Sequence, residues 1–172
     1  TIQDPRERPA EVRGTADEMH ARFTDDKSDF SSFLLLWQYI NERQAELSSS
    51  QLRKMCHREF INFLRIREWQ DLFAQLREMG RTANIRVSNG RDIDASGREV
   101  EIHKSLLSGL LSHVGAKEEH EKTYGKAPRG PREYLGARGT KFAIFPGSGL
   151  FKQNPDWVLS AELVETSRLW AR

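Results

Sequence analysis

The C-terminal part of the chain alternates short β-rich runs with turn residues, and this pattern is the strongest constraint on its fold. The run from Lys141 to Phe145 ends at Pro146-Gly147-Ser148-Gly149, a cluster typical of a turn. From Trp157 onward the apolar side chains recur at every second position, which predicts a half-buried strand. Its packed face is predicted to carry Trp157, Leu159, Ala161 and Leu163.

A last turn and a last strand follow this run. The triplet Thr166-Ser167-Arg168 predicts the turn, and Leu169 with Trp170 opens the strand. Several short antiparallel strands with glycine-rich corners are typical of a small barrel. The strand is still under way at Arg172, and the sequence begins with Thr1 rather than Met. We therefore expect a piece of a longer chain, with a barrel that is incomplete at its C-terminal end.

The first half of the chain carries signals for the starts of helices instead. Thr15 with Glu18, and Ser48 with Gln51, have the spacing of capping boxes. Ser28 precedes a long amphipathic run and is predicted to cap it.

Residues 60–69 are apolar on almost every face, which predicts a buried helix that continues until Gly80 stops it. Residues 82–98 hold few apolar side chains and are predicted to be a loop. Together these patterns indicate a compact helical bundle over residues 1–98.

The remaining residues, 99–172, are predicted to form the barrel domain. A helix is expected from Glu99 to about Leu111, and a first strand near residues 112–116. Residues 117–133 are rich in charged residues, Gly and Pro, and predict a mobile polar loop. The fold class is therefore α+β, with a helical bundle followed by a small antiparallel barrel.

Charge is distributed unevenly along the chain. The net charge is +2, but residues 1–50 carry 6 basic and 10 acidic groups, while residues 113–152 carry 8 basic and 4 acidic groups. The chain has 19 Arg and 8 Lys residues, and the guanidinium group suits phosphate contacts. A compositional bias toward arginine codons is the alternative explanation.

Several classes of function find no support in the sequence. Cys56 is the only cysteine, so an internal disulfide is excluded and a reducing, cytoplasmic setting is favoured. The five histidines show no ligand pairing at helical spacing and one cysteine cannot build a zinc site, so no zinc site is predicted. No apolar run approaches the roughly 20 residues that span a bilayer. The segment 109–117 only superficially echoes a phosphate-binding loop, because its spacing is wrong. We predict no catalytic residue, no metal and no bound cofactor in this chain.

The same C-terminal residues carry a resemblance to a known family. The phrases Phe-Pro-Gly-Ser at 145–148 and Ala-Glu-Leu-Val-Glu-Thr-Ser-Arg at 161–168 are long and low in degeneracy. They resemble the C-terminal region of bacterial HrpA-type DEAH-box RNA helicases. The resemblance continues upstream through residues 4–9, 28–30, 36–39 and 65–71. It implies a ratchet-like helical domain over residues 1–98 and an oligonucleotide-binding (OB) fold over residues 99–172.

This resemblance implies a role in an ATP-dependent RNA helicase. Two RecA-like motor domains upstream would bind ATP and Mg²⁺, and the present chain would be inactive as an ATPase by itself. Single-stranded RNA would pass between the motor and this accessory region, which would couple motor motion to translocation.

Two groups of residues are the RNA-binding candidates. The first group lies on the predicted helix of residues 60–69, and the second lies at turns and strand ends of the barrel, where loops carry function. These candidates are Asn62, Arg65 and Arg67 in the first group, and Arg138, Lys141, Thr166, Ser167 and Arg168 in the second. All could grip a phosphate backbone without reading bases.

Each candidate has a structural alternative. The helical group could pair with Glu59, Glu68 or Asp71, and the two hydroxyls could satisfy only their own turn. Four aromatic residues could be core side chains rather than platforms for base stacking. These are Tyr134, Phe142, Phe145 and Trp157.

A different class of function is also open. Helical bundles and OB folds serve as docking platforms, so the chain could bind a protein activator or a ribosomal protein without gripping RNA. The acidic N-terminal third suits a protein partner better than a nucleic acid.

Overall fold

The computed structural model describes residues 3–87, 97–118 and 131–172. The chain divides into two compact units, Thr1–Thr24 with Ser32–Asp94 and Asp25–Ser31 with Ala95–Arg172. The helices are α1 (Arg13–His20), α2 (Asp29–Glu46), α3 (Ser49–Arg58), α4 (Phe63–Thr82) and α5 (Glu99–Gly109). The strands are β1 (Val114–Lys117), β2 (Glu133–Gly136), β3 (Lys141–Ile144), β4 (Trp157–Leu159), β5 (Leu163–Glu165) and β6 (Leu169–Ala171). The predicted α+β class is confirmed.

Two of the three predicted helix starts are confirmed. The backbone N–H of Ser31 donates to Ser28 Oγ over 3.2 Å, so Ser28 caps α2. Ser48 and Gln51 form the complete capping box of α3. The start predicted at Thr15 is wrong, because α1 begins at Arg13, directly after a 3₁₀ turn. Pro9 precedes that turn and leads the chain into helical backbone earlier than the capping signal indicated.

The buried helix predicted from residue 60 is also wrong at its start. The backbone N–H of Ile61 donates to the carbonyl of Cys56 over 2.8 Å, and Phe60 has a φ of 54° between them. This is the Schellman ending of α3, with Phe60 in the left-handed position that glycine usually takes. The chain therefore turns at Phe60, and α4 begins only at Phe63.

Gly80 does not end α4 as predicted. The helix runs on to Thr82 and ends in a second Schellman arrangement, in which the N–H of Ile85 donates to the carbonyl of Gly80 over 2.8 Å. Asn84 takes the left-handed position with a φ of 56°. A Cβ at Gly80 would lie 2.7 Å from Val87 Cγ2, so the glycine admits the chain that folds back over the helix.

The helix α4 is not buried on all sides. Of its residues only Ile66 is buried, whereas Leu64, Leu76 and Met79 are 71%, 54% and 67% exposed. Apolar residues therefore lie on two faces of this helix, and only one of those faces packs against the core.

The core of the first unit combines an apolar cluster with one buried carboxylate. The buried apolar residues come from the 3₁₀ turn after α1, from α2, α3 and α4, and from the segment between α3 and α4: Phe23, Leu36, Ile40, Leu52, Met55, Cys56, Ile61 and Ile66. Glu59, 8% exposed, accepts a hydrogen bond from Tyr39 Oη over 2.8 Å and pairs with Arg22. The Arg22 guanidinium also lies over the Tyr39 ring, 4.4 Å from its centroid. The buried charge is thereby paired and hydrogen-bonded, as burial requires.

The second unit is built on a six-stranded sheet in the order β4-β1-β2-β3-β6-β5. All neighbouring strands are antiparallel except β3 and β6, which are parallel, so the sheet is mixed rather than purely antiparallel. Only residues 160–162 separate the two edge strands, and the N–H of Ser160 still donates to His113 while that of Ala161 donates to Arg172. One continuous segment therefore borders both edges of the curled sheet.

The inner face of this sheet packs around Phe142. Its ring occupies the place of two side chains, because a Cβ at Gly115 or Gly136 would lie 2.4 Å or 2.8 Å from ring atoms. Tyr134 stacks beside it with centroids 6.1 Å apart. Val158, Ile144 and Ala171 complete the buried cluster.

The strand predicted from Trp157 is two strands, β4 and β5, and its predicted phase is wrong for β4, whereas Leu163 of β5 packs against the core cluster as predicted. Trp157 is 69% exposed, while Val158 and Ser160 are 7% and 3% exposed. Val158 lies opposite Gly115 and belongs to the buried cluster on the inner face. Trp157 consequently lies on the outer face, opposite Ala116.

The other predicted elements of this unit lie close to the observed ones. The helix α5 and strand β1 are within a few residues of their predicted bounds, and the turn after β3 leads into a 3₁₀ turn at Gly149–Lys152. Lys117 and Glu133, the ends of the predicted mobile loop, belong to β1 and β2. Residues 119–130 of that loop, like residues 88–96 of the other predicted loop, lie outside the described residues.

A buried histidine makes the first unit sensitive to pH. His20 is 1% exposed, and its Nε2 lies 2.9 Å from the carbonyl oxygen of Glu59. Since a carbonyl can only accept, Nε2 carries the proton and Nδ1 is the bare nitrogen, buried without a partner among the described residues. Charging the ring would place an unpaired N–H there, and burial accordingly lowers the pKa of His20 from its ordinary value of 6.5.

We predict that acidification destabilises this unit through His20. The unfolded chain takes up a proton near the ordinary pKa while the folded chain does not, so stability falls as pH drops below about 6.5 towards the lowered folded pKa. His20→Gln keeps a donor to the carbonyl of Glu59 and should flatten the dependence, as measured by urea unfolding at several pH values. His57→Gln, on the exposed face of α3, is the control and should leave it unchanged. An equally flat profile for both variants would contradict the assignment.

Candidate nucleic-acid interface

Strand order and register bring one group of predicted residues to the same end of the sheet. The register of the parallel pair places Ala143 beside Trp170 and Ile144 beside Ala171. Lys141 is the first residue of β3, and the turn 166–168 directly precedes β6, so both lie at the end of the sheet where these parallel strands begin. The turn that precedes β3 contains Arg138. Five candidates, Arg138, Lys141, Thr166, Ser167 and Arg168, therefore share this end of the second unit.

Arg138 lies in a tight 3₁₀ turn between β2 and β3. Its backbone has a φ of 57°, and the turn is closed by a hydrogen bond from the N–H of Gly136 to the carbonyl of Thr140 over 2.7 Å. The side chain of Arg138 is exposed and makes no ion pair within the described residues. Its charge is available to a ligand.

Lys141 is different, because its charge is already paired. Its Nζ lies 2.7 Å from Glu118 Oε1, and the hydrogen bond with that carboxylate raises the pKa of Lys141. A phosphate at this position would have to compete with Glu118. Lys141 is therefore a weaker candidate than its exposure alone indicates.

In the turn 166–168, one residue is hydrogen-bonded within the protein and the other two are exposed to solvent. The N–H of Thr166 donates to the carbonyl of Arg168 over 3.0 Å, and Thr166 Oγ1 accepts from Trp170 Nε1 over 3.2 Å. These contacts favour the alternative that Thr166 stabilises its own turn rather than binding a ligand. Ser167 and Arg168 are exposed, and the Arg168 guanidinium lies 5.6 Å from the centroid of the Trp170 ring.

The helical candidates lie in the first unit and have mostly structural contacts. Asn62 caps α4 by accepting from the N–H of Arg65 over 3.1 Å, and it donates to Glu7 Oε1 over 2.8 Å. Arg65 Nη1 donates to the carbonyl of Asp4 over 2.8 Å. The partners are thus the N-terminal segment rather than the carboxylates expected from the sequence. Arg67 is exposed and has no partner within the described residues.

The four aromatic candidates separate by burial. Tyr134 and Phe142 are 1% and 2% exposed and belong to the core, with Tyr134 Oη donating to the carbonyl of Pro155 over 2.9 Å. Phe145 is half-buried, and Trp157 is largely exposed on the outer face.

Sequence reasoning missed two residues beside the turn, Trp170 and Arg172. Both extend the outer face of β6, at every second position after Arg168. The signal was present in the alternation Arg168, Trp170, Arg172, with Leu169 and Ala171 between them packed against the core.

Other kinds of site find no support in the part of the chain that the structure describes. It contains no group of three or more His, Cys, Asp or Glu side chains that could hold a metal ion. Within the same residues no helix is both long enough and apolar enough to cross a membrane. Cys56 is buried, which raises its pKa to about 11, so its thiol is unreactive at neutral pH.

Comparison with known proteins supports the fold of the second unit. Residues 102–172 match the family model of the oligonucleotide/oligosaccharide-binding (OB) fold. The whole chain is 49% identical to the ATP-dependent RNA helicase HrpA of Escherichia coli and to its homolog in Haemophilus influenzae. The predicted resemblance to HrpA-type helicases is confirmed. A more distant relative is the pre-mRNA-splicing factor ATP-dependent RNA helicase prp22 of Schizosaccharomyces pombe, 28% identical over 94% of the chain.

The chain spans 12% of the length of each of these helicases. The six-stranded sheet with the preceding α5 corresponds to the matched OB fold, which confirms the predicted order of a helical region followed by an OB fold.

The two types of contact in the helical group lead to a prediction about stability. Asn62→Ala removes the cap of α4 and the hydrogen bond to Glu7, so the free energy of unfolding should fall by about 1–2 kcal/mol. Arg67→Ala, at an exposed position, should change it by less than about 0.5 kcal/mol. Urea unfolding followed by circular dichroism measures both. Equal losses for the two variants would show that Arg67 has a structural role.

Proposed function

We propose that this chain is an accessory region of an ATP-dependent RNA helicase and that it binds the backbone of single-stranded RNA. Its relatives are named as ATP-dependent RNA helicases. The observation that carries the proposal is the gathering of Arg138, Ser167 and Arg168 at one end of the sheet, with both guanidinium groups exposed and without carboxylate partners in the described residues. Guanidinium and hydroxyl groups bind phosphate oxygens without reading base sequence.

In this role the ATP-driven motor lies outside the chain. RecA-like domains of the same protein would bind ATP and Mg²⁺, and RNA would pass between them and this region in the cytoplasm. Because a translocating helicase must bind RNA of any base sequence, this region needs contacts with the RNA backbone rather than with base edges. Exposed arginines on turns meet that need.

A second candidate function is docking of a protein activator or ribosomal protein, and one observation favours it. On α4 the residues Leu72, Leu76 and Met79 form an exposed apolar stripe at i, i+4 and i+7. Contiguous exposed apolar residues of this kind often mark protein interfaces. The stripe lies in the first unit, whereas the turn residues lie in the second.

Salt dependence should separate the two candidates. Arg168→Glu should leave thermal stability nearly unchanged, since the side chain is exposed. It should weaken binding to single-stranded RNA about equally for all sequences and make the slope of log Kd against log salt shallower by roughly one unit. Fluorescence anisotropy with labelled oligonucleotides at several salt concentrations measures this.

Arg53→Glu, at an exposed position of α3 in the first unit, is the matched control for the reversal of one arginine charge. If the parent chain has no measurable affinity for RNA although it is folded, the backbone-binding proposal fails and the docking function is favoured.

We also expect the purified 172-residue chain to hydrolyse no ATP. The sequence has no phosphate-binding loop, and no metal cluster occurs in the described residues. Phosphate release measured with and without single-stranded RNA should equal that of a buffer blank. Turnover that co-elutes with the chain through size-exclusion chromatography would contradict this.

A further inference from the structure

The outer face of the second unit carries two aromatic side chains in contact with each other, each with an arginine over its ring. Arg168 lies over the Trp170 ring at 5.6 Å, and Trp170 meets Phe145 edge to face with centroids 6.2 Å apart. Arg172 lies over the Phe145 ring at 4.4 Å. The four side chains therefore form one connected series, which we call the Arg-Trp-Phe-Arg ladder.

Strand geometry fixes the ladder on one face. Arg168, Trp170 and Arg172 alternate along β6 and its extension, whereas Leu169 and Ala171 point into the core cluster. Phe145 directly follows β3, and its N–H donates to the carbonyl of Ala171 over 3.1 Å. Since an extended chain rises about 3.3 Å per residue, the four residue steps from Arg168 to Arg172 span at most about 13 Å of backbone, with Trp170 midway in the sequence.

The central tryptophan is held in place from two sides. Its Nε1 donates to Thr166 Oγ1, and Phe145 packs edge to face against its ring. A ring fixed in this way loses little conformational entropy when it binds a flat ligand. Neither arginine has an ion-pair partner within the described residues, so both charges are unneutralised.

We propose that the Arg-Trp-Phe-Arg ladder is a subsite for one nucleotide of a single-stranded nucleic acid. The base stacks on the aromatic and guanidinium planes around Trp170, and Arg168 and Arg172 bind the phosphates on either side. A basic track interleaved with aromatic platforms is how OB folds hold single strands without base specificity. This inference rests on the proposed RNA binding and adds a base-stacking contact to it.

The exposed Trp157 offers a competing platform on the same sheet. It lies on β4, four strands away from β6 in the sheet order. The neighbouring charged groups, Lys117 and Asp156, are paired with each other. Trp157 thus has the area for stacking, but the cation beside it is already neutralised, which favours the ladder as the nucleotide subsite.

A comparison of two probes tests the stacking contact. The 172-residue chain is titrated with a fluorescein-labelled uridine oligomer of about twelve nucleotides and with an abasic phosphodiester oligomer of equal length and charge. Trp170→Leu should weaken uridine binding by between about fivefold and a hundredfold, and abasic binding by much less. Trp170→Phe retains a ring and should restore most of the preference for uridine. Arg172→Gln should weaken both probes and make the salt slope shallower by roughly one unit.

Controls keep the outcomes separate. Thermal melting of each variant shows whether a loss of binding is a loss of fold, and Trp170→Phe supplies the folded comparison if Trp170→Leu unfolds. If Trp157→Leu, rather than either Trp170 variant, removes the preference for uridine, the platform is Trp157 and the ladder proposal is overturned. The ladder proposal is also overturned if the parent binds both probes and no Trp170 variant changes their ratio. If the parent binds neither probe, the proposed RNA binding itself fails, and the surface suits a protein partner instead.

Discussion

The parallel pairing of β3 with β6 is the constraint on which the candidate interface depends. These strands are distant in the sequence, and every other neighbouring pair in the sheet is antiparallel. Parallel pairing brings the starts of the two strands to the same end, so the turn before β6 lies beside the turn before β3. With the opposite direction, Arg168 would lie at the far end from Arg138. The positive end of the sheet is therefore a consequence of topology rather than of local sequence.

Glycines on the inner face allow this sheet to curl tightly. Phe142 fills the space above Gly115 and Gly136, and Val158 lies opposite Gly115. A side chain at either glycine would push the ring away, because its Cβ would lie within 3 Å of ring atoms. The inner packing in turn sets the phase of every strand, and so decides that Lys141, Trp157 and Trp170 lie outside. Alternation along one strand gave the wrong phase for Trp157, because that pattern holds no information about Gly115 on the neighbouring strand, opposite Val158.

Much of the fold could be predicted because the signals were local. The capping box at Ser48, the turn after Phe145 and the strand at Leu169 each depend on residues within a few positions of one another. The errors came from features that depend on distant residues or on unusual backbone. Phe60 adopts a left-handed conformation that bulky residues rarely take, so no sequence rule would end α3 there. Asn84 is a recognised helix-ending residue, but the nearby Gly80 gave the stronger signal.

The sequence could predict which residue types form the candidate site, but not whether each cationic side chain already has a partner within the protein. Sequence alone counts Lys141, Arg65 and Arg168 as equal cations. In the structure Glu118 neutralises the first, the carbonyl of Asp4 accepts from the second, and only the third lies against an aromatic ring with no carboxylate partner among the described residues. A cation that already has an anionic partner contributes little to phosphate binding, because the old contact must break before the new one forms. A guanidinium held on a tryptophan keeps its charge and loses mobility at the same time. Pre-ordered, unneutralised arginines thus distinguish the end of β6 from Lys141 and Arg65, whose donors already have partners.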